Sequence, residues 1–424
     1  MQKIVIEGGR PLKGTVEISG AKNSALPILF ASLLADQPVV LRNVPELQDV
    51  NTTIRILQFM GAKVADGYPH LLKVSPNGFR HFLAPYDLVK TMRASVLAMG
   101  PLLAKFHQAS VSLPGGCAIG ARPINLHLKA FEQMGAKIEI EGGYVHAQTL
   151  SKTKRLHGAR IHFDTVTVTG TENVMMAAAL AKGETVIENA AREPEVADLA
   201  AVLNKMGGRV FGAGTETIVV DGVESLSGCE HTIIPDRIET GTFMMAAAMT
   251  GGSVLIKKSD PAAVEALRVK LEEAGAKVAA EQGGIRVEGP KHLKATDVTT
   301  APYPGFATDF QAQFMAMMSV AQGTSVVTET IFENRFMHAL ELIRMGADIK
   351  IEGKAAVVKG VKKLSGAPVM ASDLRASAAL ILAGLITDGI TEIHRIYHID
   401  RGYEQIEKKF RRLGAKIKRV KVKF

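Results

Sequence analysis

One phrase recurs six times along the 424 residues: a helix-like run that ends in a small-residue turn. It reads LQFMGAKV at Gly61, FEQMGAKI at Gly135, LNKMGGRV at Gly207, LEEAGAKV at Gly275, LIRMGADI at Gly346 and RRLGAKI at Gly414. Successive glycines are 74, 72, 68, 71 and 68 residues apart. A period of this length is a complete folding unit, not a solenoid rung. Six such units fill the chain, so function is sought where units face each other and where one unit departs from the rest.

The interior of each unit is shared as well. A Met/Ala-rich apolar run comes first, as in NSALPILFASLLA, ENVMMAAALA, TGTFMMAAAM and LRASAALILAGL. Such runs have helix-forming composition and are apolar on most faces, which predicts six buried helices. A β-branched strand follows (GETVIEN, GGSVLIK, GTSVVTE, GITEIHR), then an amphipathic helix that ends at the repeated glycine. A left-handed C-cap is the usual reason for glycine at such a place. A strand such as AKIEIEGG closes the unit. The expected fold is α/β, with βαβαββ-like units enclosing their buried helices by sheet and by outer helices.

A single core stops growing near roughly 250 to 300 residues, so two domains of three units each are expected. The 47% apolar content with 5% aromatic residues and no Trp describes an Ala/Met/Leu/Val interior. No apolar run approaches the ~20 residues needed to cross a bilayer. Met1 leads directly into KIVIEGG, so no signal peptide, no membrane and a cytoplasmic location are expected. Two cysteines, Cys117 and Cys229, fit a reducing compartment. The net charge of +9 is concentrated at one end: residues 401–424 carry ten Lys/Arg against Glu404 and Glu407 and leave the rest near +1. A terminal charge run without interleaved aromatics or a Cys/His array is a solvated face and no nucleic-acid site.

No dinucleotide fingerprint, P-loop or HExxH is present, and the histidines form no metal-ligand cluster, so neither cofactor nor metal is expected. A phosphate ligand would then be held by side chains and helix ends. Arg122 and Arg401 each stand thirteen residues before a repeated glycine, in units two and six. If those units lie in different halves, the two guanidiniums can approach one anion from opposite walls of a cleft; two solvated helix-start arginines are the alternative. A further polar set lies at the starts of the buried helices: Lys22 and Asn23, Arg93, Thr171 and Glu172, Glu239, Asp309, Asp373 and Arg375. Capping explains the acidic members but explains Lys22, Arg93 and Arg375 poorly. Unit two departs from the pattern with LPGGCAIGARP at 113–123, where three glycines and two prolines surround a thiol. That composition describes a loop presenting Cys117, whereas Cys229 in LSGCEHTII is taken as an inert core residue.

These residues resemble a known family. SGAKNSALP at 19–27, KTMRAS at 90–95, PGGCAIGARP at 114–123, ENAAREPEV at 188–196, ATDFQAQF at 307–314, FENRFMH at 332–338, SDLRA at 372–376 and HIDRGYE at 398–404 are similar to bacterial UDP-N-acetylglucosamine 1-carboxyvinyltransferases. The resemblance covers essentially the whole chain. It implies two inside-out α/β barrel domains of three units, with residues 1–19 joining 231–424 in one and 20–230 forming the other. It also implies transfer of the enolpyruvyl group of phosphoenolpyruvate to the 3-hydroxyl of UDP-N-acetylglucosamine, an early step towards peptidoglycan and so towards cell shape and division. Cys117 would be the proton donor, able to carry a phosphoenolpyruvate adduct and to be alkylated by the epoxide fosfomycin; Asp309 would be the base. Lys22, Arg122 and Arg401 would hold phosphoenolpyruvate, with Asn23 beside them and Arg335 and Asp373 in the same site.

The nucleotide sugar would lie along Arg93, Arg122, Pro123, Ile124, Asn125, Leu126, the stretch Thr165, Val166, Thr167, Val168, and then Asp309 and Ile331. Two departures stand out: many relatives carry Lys where Thr165 stands and often Asp where Asn125 stands. A second enzymatic reading, with shikimate 3-phosphate as acceptor, is disfavoured by the cysteine loop. A basic RNA-binding repeat protein would require salt-sensitive RNA retention, and the charge confined to the tail argues against it. The oligomeric state is not legible.

Overall fold

The structure is a computed structural model that describes residues 2–421 apart from 66, 68, 77, 91, 114–123 and 151–153. Its described residues form two compact units, one from within Met1–Ser19 and Pro235–Phe424 and the other from within Gly20–Ile234. Each unit contains three four-stranded sheets of one common design. A short edge strand runs parallel to a longer second strand, and two antiparallel strands complete the sheet. In the repeat around Gly207, Arg160–His162 runs parallel to Glu184–Glu188, which pairs with Thr217–Asp221, and Arg209–Phe211 forms the far edge.

The order follows from chain chemistry. In four of the sheets the two parallel strands are joined by a crossover, which the apolar helix provides, and in five the last antiparallel pair needs only a tight hairpin. The apolar helices are Lys22–Ala31, Met99–Phe106 and Val168–Ala178 in one unit, and Arg237–Met249, Gln311–Met318 and Leu374–Ile386 in the other, Lys22–Ala31 and Arg237–Met249 being the two that do not link a parallel pair of one sheet. Arg237–Met249 and Leu374–Ile386 are buried almost end to end, as their Ala/Met/Leu composition dictates. The outer helices that follow are amphipathic and stop at the repeated glycines. All six of these adopt the left-handed conformation, with φ of 106°, 90°, 97°, 98°, 93° and 94° in chain order. A side chain there would be strained, which is why the phrase recurs.

The chain passes between the units by exchanging edge strands. Lys13–Glu17 runs in register beside Ser253–Lys257, with Thr15 opposite Leu255. Glu230–Thr232 returns to run parallel to Val39–Val44. Met1–Ser19 contributes one more strand, Gln2–Glu7, which lies between Ile390–His394 and Lys416–Lys421. A buried polar knot fixes the returning strand. His231 accepts from Lys205 Nζ (3.1 Å) and donates Nε2–H to Asp198 Oδ1 (2.8 Å), while Asp198 also accepts from the Ser24 hydroxyl on the first buried helix. For this reason the division falls after Ile234, and residues 231–234 belong with the preceding unit, a correction to the boundary expected at 230/231. Among the described residues no helix is long and apolar enough to cross a membrane.

Candidate active site

In the unit holding Pro235–Phe424, Asp309, Asp373 and Arg375, at the starts of two buried helices, form one network centred on Asp309. Asp309 lies in the single turn Thr308–Phe310 that feeds into Gln311–Met318. It is not a cap. Arg335 Nη2 donates to its Oδ1 and Arg375 Nη2 to its Oδ2, each at 2.7 Å. Both arginines are about 5% exposed, yet a quarter of the Asp309 side chain still reaches solvent. Burial by itself would raise this carboxyl, but the guanidiniums of Arg375 and Arg335 hold it well below the usual carboxylate range. Asp309 is therefore an anion throughout the neutral range, with one open approach.

Two further carboxylates shape the surroundings. Glu329 accepts from the hydroxyls of Thr300 (3.0 Å) and Thr308 (2.8 Å) and from the backbone N–H groups of Ile331 (2.8 Å) and Phe332 (3.2 Å). It thereby locks the segment carrying Ile331 and Arg335 to the turn carrying Asp309. Phe332 packs its ring 5.1 Å from the Arg335 guanidinium, whose Nη1 is buried without a hydrogen-bond partner among the described residues. Asp373 is the N-cap of Leu374–Ile386, accepting from the backbone N–H of Arg375 and Ala376. Arg401 stands at the end of the turn Ile396–Arg401, and both it and Asp373 act electrostatically on His398. Glu239 belongs elsewhere: it pairs with Lys409 Nζ (2.6 Å) and accepts from Ser19 N–H (2.8 Å), anchoring the outgoing chain.

The unit holding Gly20–Ile234 gathers a second group. Asn173, on Val168–Ala178, accepts from Gly100 N–H (2.7 Å) and donates from Nδ2 to Val96 O (2.9 Å) and to His127 Nδ1 (3.0 Å). Burial pushes the His127 imidazole down to about 4, so it is neutral and its Nε2–H is left to donate to Thr169 Oγ1 (3.4 Å). This hub ties together the turn opened by Arg93, the helix opened by Asn125 and Leu126 after Ile124, and the helix that Val166, Thr167 and Val168 lead into. Thr167 caps that helix through Gly170 N–H, and Thr165 is exposed just before it. Lys22 opens the first buried helix beside Asn23, its Nζ 3.4 Å from Asp49 Oδ2. Cys117, Arg122 and Pro123 lie outside the described residues.

Glu172 lies in the buried helix Val168–Ala178, in surroundings that its place in the sequence does not reveal. It is 2% exposed, and Oε1 has no hydrogen-bond partner among the described residues. Burial, then the neighbouring Glu195 and Glu193, push its carboxyl well above the usual range. The folded chain thus keeps a proton that the unfolded chain loses near pH 4.5. The sign follows: this group's contribution is fully present below that pH, and it declines as pH rises towards the folded value, by about 1.4 kcal/mol per pH unit. Glu172→Gln is expected to match the parent in thermal unfolding at pH 4 and to exceed it at pH 8. Equal midpoints at both pH values would show that the carboxyl is ionised in the folded protein.

With this geometry in hand, the chain was compared with known proteins. The model of the EPSP synthase (3-phosphoshikimate 1-carboxyvinyltransferase) family matches residues 6–410. A UDP-N-acetylglucosamine 1-carboxyvinyltransferase of Geobacter metallireducens is 59% identical over 421 residues, covering 99% of this chain and all of the relative. One of the same name from Myxococcus xanthus is 58% identical over 423 residues, again covering 99% of this chain and all of the relative. Among solved structures, the enolpyruvyl transferase NikO from Streptomyces tendae superposes with a TM-score of 0.86 at 25% identity, covering 99% of this chain and 98% of its own. EPSP synthase from Acinetobacter baumannii gives 0.75 at 18% identity, over 99% and 100% of the two chains, which speaks for the fold alone.

Proposed function

The chain belongs to the UDP-N-acetylglucosamine 1-carboxyvinyltransferase family of enolpyruvyl transferases, and from that membership we propose how its residues carry the reaction. The enolpyruvyl group of phosphoenolpyruvate is transferred to the 3-hydroxyl of UDP-N-acetylglucosamine, and phosphate is released. The near-full-length likeness to enzymes of that name carries this reading. The hydroxyl oxygen adds to C2 while a proton arrives at C3, giving a phosphate-bearing tetrahedral ketal. Loss of a proton from C3 and of phosphate from C2 restores the double bond. We place the reaction in the cytoplasm, on the path to peptidoglycan.

Asp309 is the group set against the sugar hydroxyl. Its clamped carboxylate supports a specific timing. A base this weak does not ionise an alcohol outright, so it orients the hydroxyl and takes its proton as bonding to C2 makes that oxygen acidic. Cys117 delivers the proton to C3. Lys22, Arg122 and Arg401 bind the phosphate and carboxylate of phosphoenolpyruvate, with Asn23, Arg335 and Asp373 completing that site. The residues gathered by Asn173 and His127, namely Arg93, Ile124–Leu126 and Thr165–Val168, take the nucleotide sugar together with Pro123 and Ile331. Thr165 offers a hydroxyl where many relatives offer an ammonium, so the diphosphate is bound by neutral donors at that point.

The direct test is phosphate release from phosphoenolpyruvate with UDP-N-acetylglucosamine as acceptor, compared with shikimate 3-phosphate. Turnover with the nucleotide sugar alone is expected, and preference for shikimate 3-phosphate would overturn the assignment. Arg401→Ala is expected to raise the phosphoenolpyruvate requirement on the order of 30-fold to several hundredfold, the loss of one phosphate-bound guanidinium. Binding of UDP-N-acetylglucosamine, measured by calorimetry, should change little. Normal dependence on phosphoenolpyruvate in that variant would remove Arg401 from the anion site.

A further inference from the structure

Tyr403 takes no part in the chemistry above, yet it stands at the centre of its unit. It is one of the largest fully buried side chains, and its hydroxyl meets groups from three buried helices. Thr242 Oγ1 lies 2.8 Å away on Arg237–Met249, Gln313 Nε2 3.3 Å away on Gln311–Met318, and Arg375 Nη1 3.2 Å away on Leu374–Ile386. The direction of each bond can be worked out. Thr242 donates its one proton to Ile238 O at 2.8 Å, so its oxygen must accept from Tyr403. The phenol proton is thereby committed, and the phenol oxygen is left to accept from Arg375 and Gln313. Gln313 Nε2 also donates to Thr242 (3.3 Å), which closes the circuit.

We infer that Tyr403 is a positioning residue for Asp309: its oxygen fixes one end of the Arg375 guanidinium, so that the other end delivers Nη2 to the carboxylate. The inference rests on the reading of Asp309 given above. A planar guanidinium held at Nη1 has little freedom to turn, and its ring contact with Tyr403, 5.6 Å from guanidinium carbon to centroid, restricts it further. Tyr403 also follows Arg401 by two residues, so the same anchor holds the segment that carries that arginine. The titratable groups around Asp309 are Arg335 and Arg375, with Glu329 bonded to Thr308 of the same turn, Asp236 acting on Arg375 and Tyr403, and Asp373 and Arg335 acting on His338, which burial keeps neutral. Of these, only Arg375 is bonded to the phenol by a hydrogen bond described here.

Tyr403→Phe keeps the ring and removes the acceptor. Turnover is expected to fall about tenfold or more, as for a lost hydrogen bond to a charged group. The KM values for both substrates should stay within about threefold of the parent. A carboxylate that loses a fixed guanidinium is protonated more easily, so the acid limb of the kcat profile should move up by about one pH unit. The Asp309 carboxyl carbon, followed by NMR in aspartate-labelled full-length protein and assigned with Asp309→Asn, should titrate higher by a similar amount. That titration is readable even if the parent releases no phosphate, a result that would sink the functional reading and not this one. A lower urea midpoint with an unmoved acid limb and titration would make Tyr403 merely structural and overturn the inference, as would turnover within twofold of the parent. Should Tyr403→Phe fail to fold, Thr242→Val removes the acceptor of the phenol proton and is expected to shift the titration the same way by less; no shift there overturns the inference too.

Discussion

Asp309→Asn is expected to slow turnover on the order of a thousandfold, the scale of a lost acid-base group, while UDP-N-acetylglucosamine still binds. An amide keeps most of the hydrogen-bond geometry but cannot take the hydroxyl proton, so kcat should suffer far more than the dissociation constant. The structure adds a separate consequence. Arg335 and Arg375 are almost wholly buried and share this one carboxylate, so the amide leaves two guanidiniums without their counter-charge. Breaking a buried pair costs about 3 to 5 kcal/mol, and the variant should therefore unfold earlier as well as work more slowly. The pH dependence separates the two effects. A carboxyl held well below 3.8 contributes stability that is present above that pH and is lost only as pH falls through the lower folded value. The difference in unfolding midpoint between parent and variant should thus persist from neutrality down to about pH 4 and close below it, measured by thermal melts across that range. Unchanged turnover with lowered stability would leave Asp309 as a clamp for two arginines and no more.

The repeat made the fold readable because each unit obeys the same local rules. Glycine marks the end of every outer helix, Ala/Met/Leu runs mark every buried helix, and β-branched runs mark the long strands. The edge strands escaped those rules. Leu83–Ala84 and Val298–Thr299 are two residues each, too short for any alternation to show. The exchange of Lys13–Glu17 against Glu230–Thr232 pairs residues far apart in the chain, and only the family resemblance pointed to a crossing. The site divides along the same line. Lys22, Arg93, Asp309, Asp373 and Arg375 were visible as polar groups at the mouths of apolar helices. Capping accounts for Asp373, whereas Asp309 spends its charge on Arg335 and Arg375, 26 and 66 residues away. Tyr403 lay in the HIDRGYE stretch with nothing local to separate it from an ordinary core aromatic. Its partners Thr242 and Gln313 sit 161 and 90 residues distant, and no periodicity reports a hydrogen bond across that span.

The two thiols offer the sharpest contrast between chemistry and packing, and Cys117→Ser is expected to lower turnover by at least about a hundredfold. Addition to phosphoenolpyruvate requires a proton at C3 at the moment C2 is attacked. A thiol with a free value near 8.5 can supply it. A serine hydroxyl is a far weaker acid and has no comparable way to give up its proton. The same acidity makes the Cys117 thiolate the nucleophile expected to open the epoxide of fosfomycin, so the serine variant should also escape covalent labelling. Cys229 is the internal control. It is partly buried after the polar knot of Asp198, Lys205 and His231, and burial pushes its thiol up despite the pull of Lys205. A thiol so placed is protonated at neutral pH and reacts slowly, and Cys229→Ser should change neither turnover nor labelling. Peptide mass spectrometry after brief exposure to the epoxide is expected to find the added mass on the peptide containing Cys117 and none on that containing Cys229. Equal labelling of both would refute the idea that only one thiol is activated, and a Cys117→Ser enzyme with parental turnover would mean that the proton reaches C3 from another group.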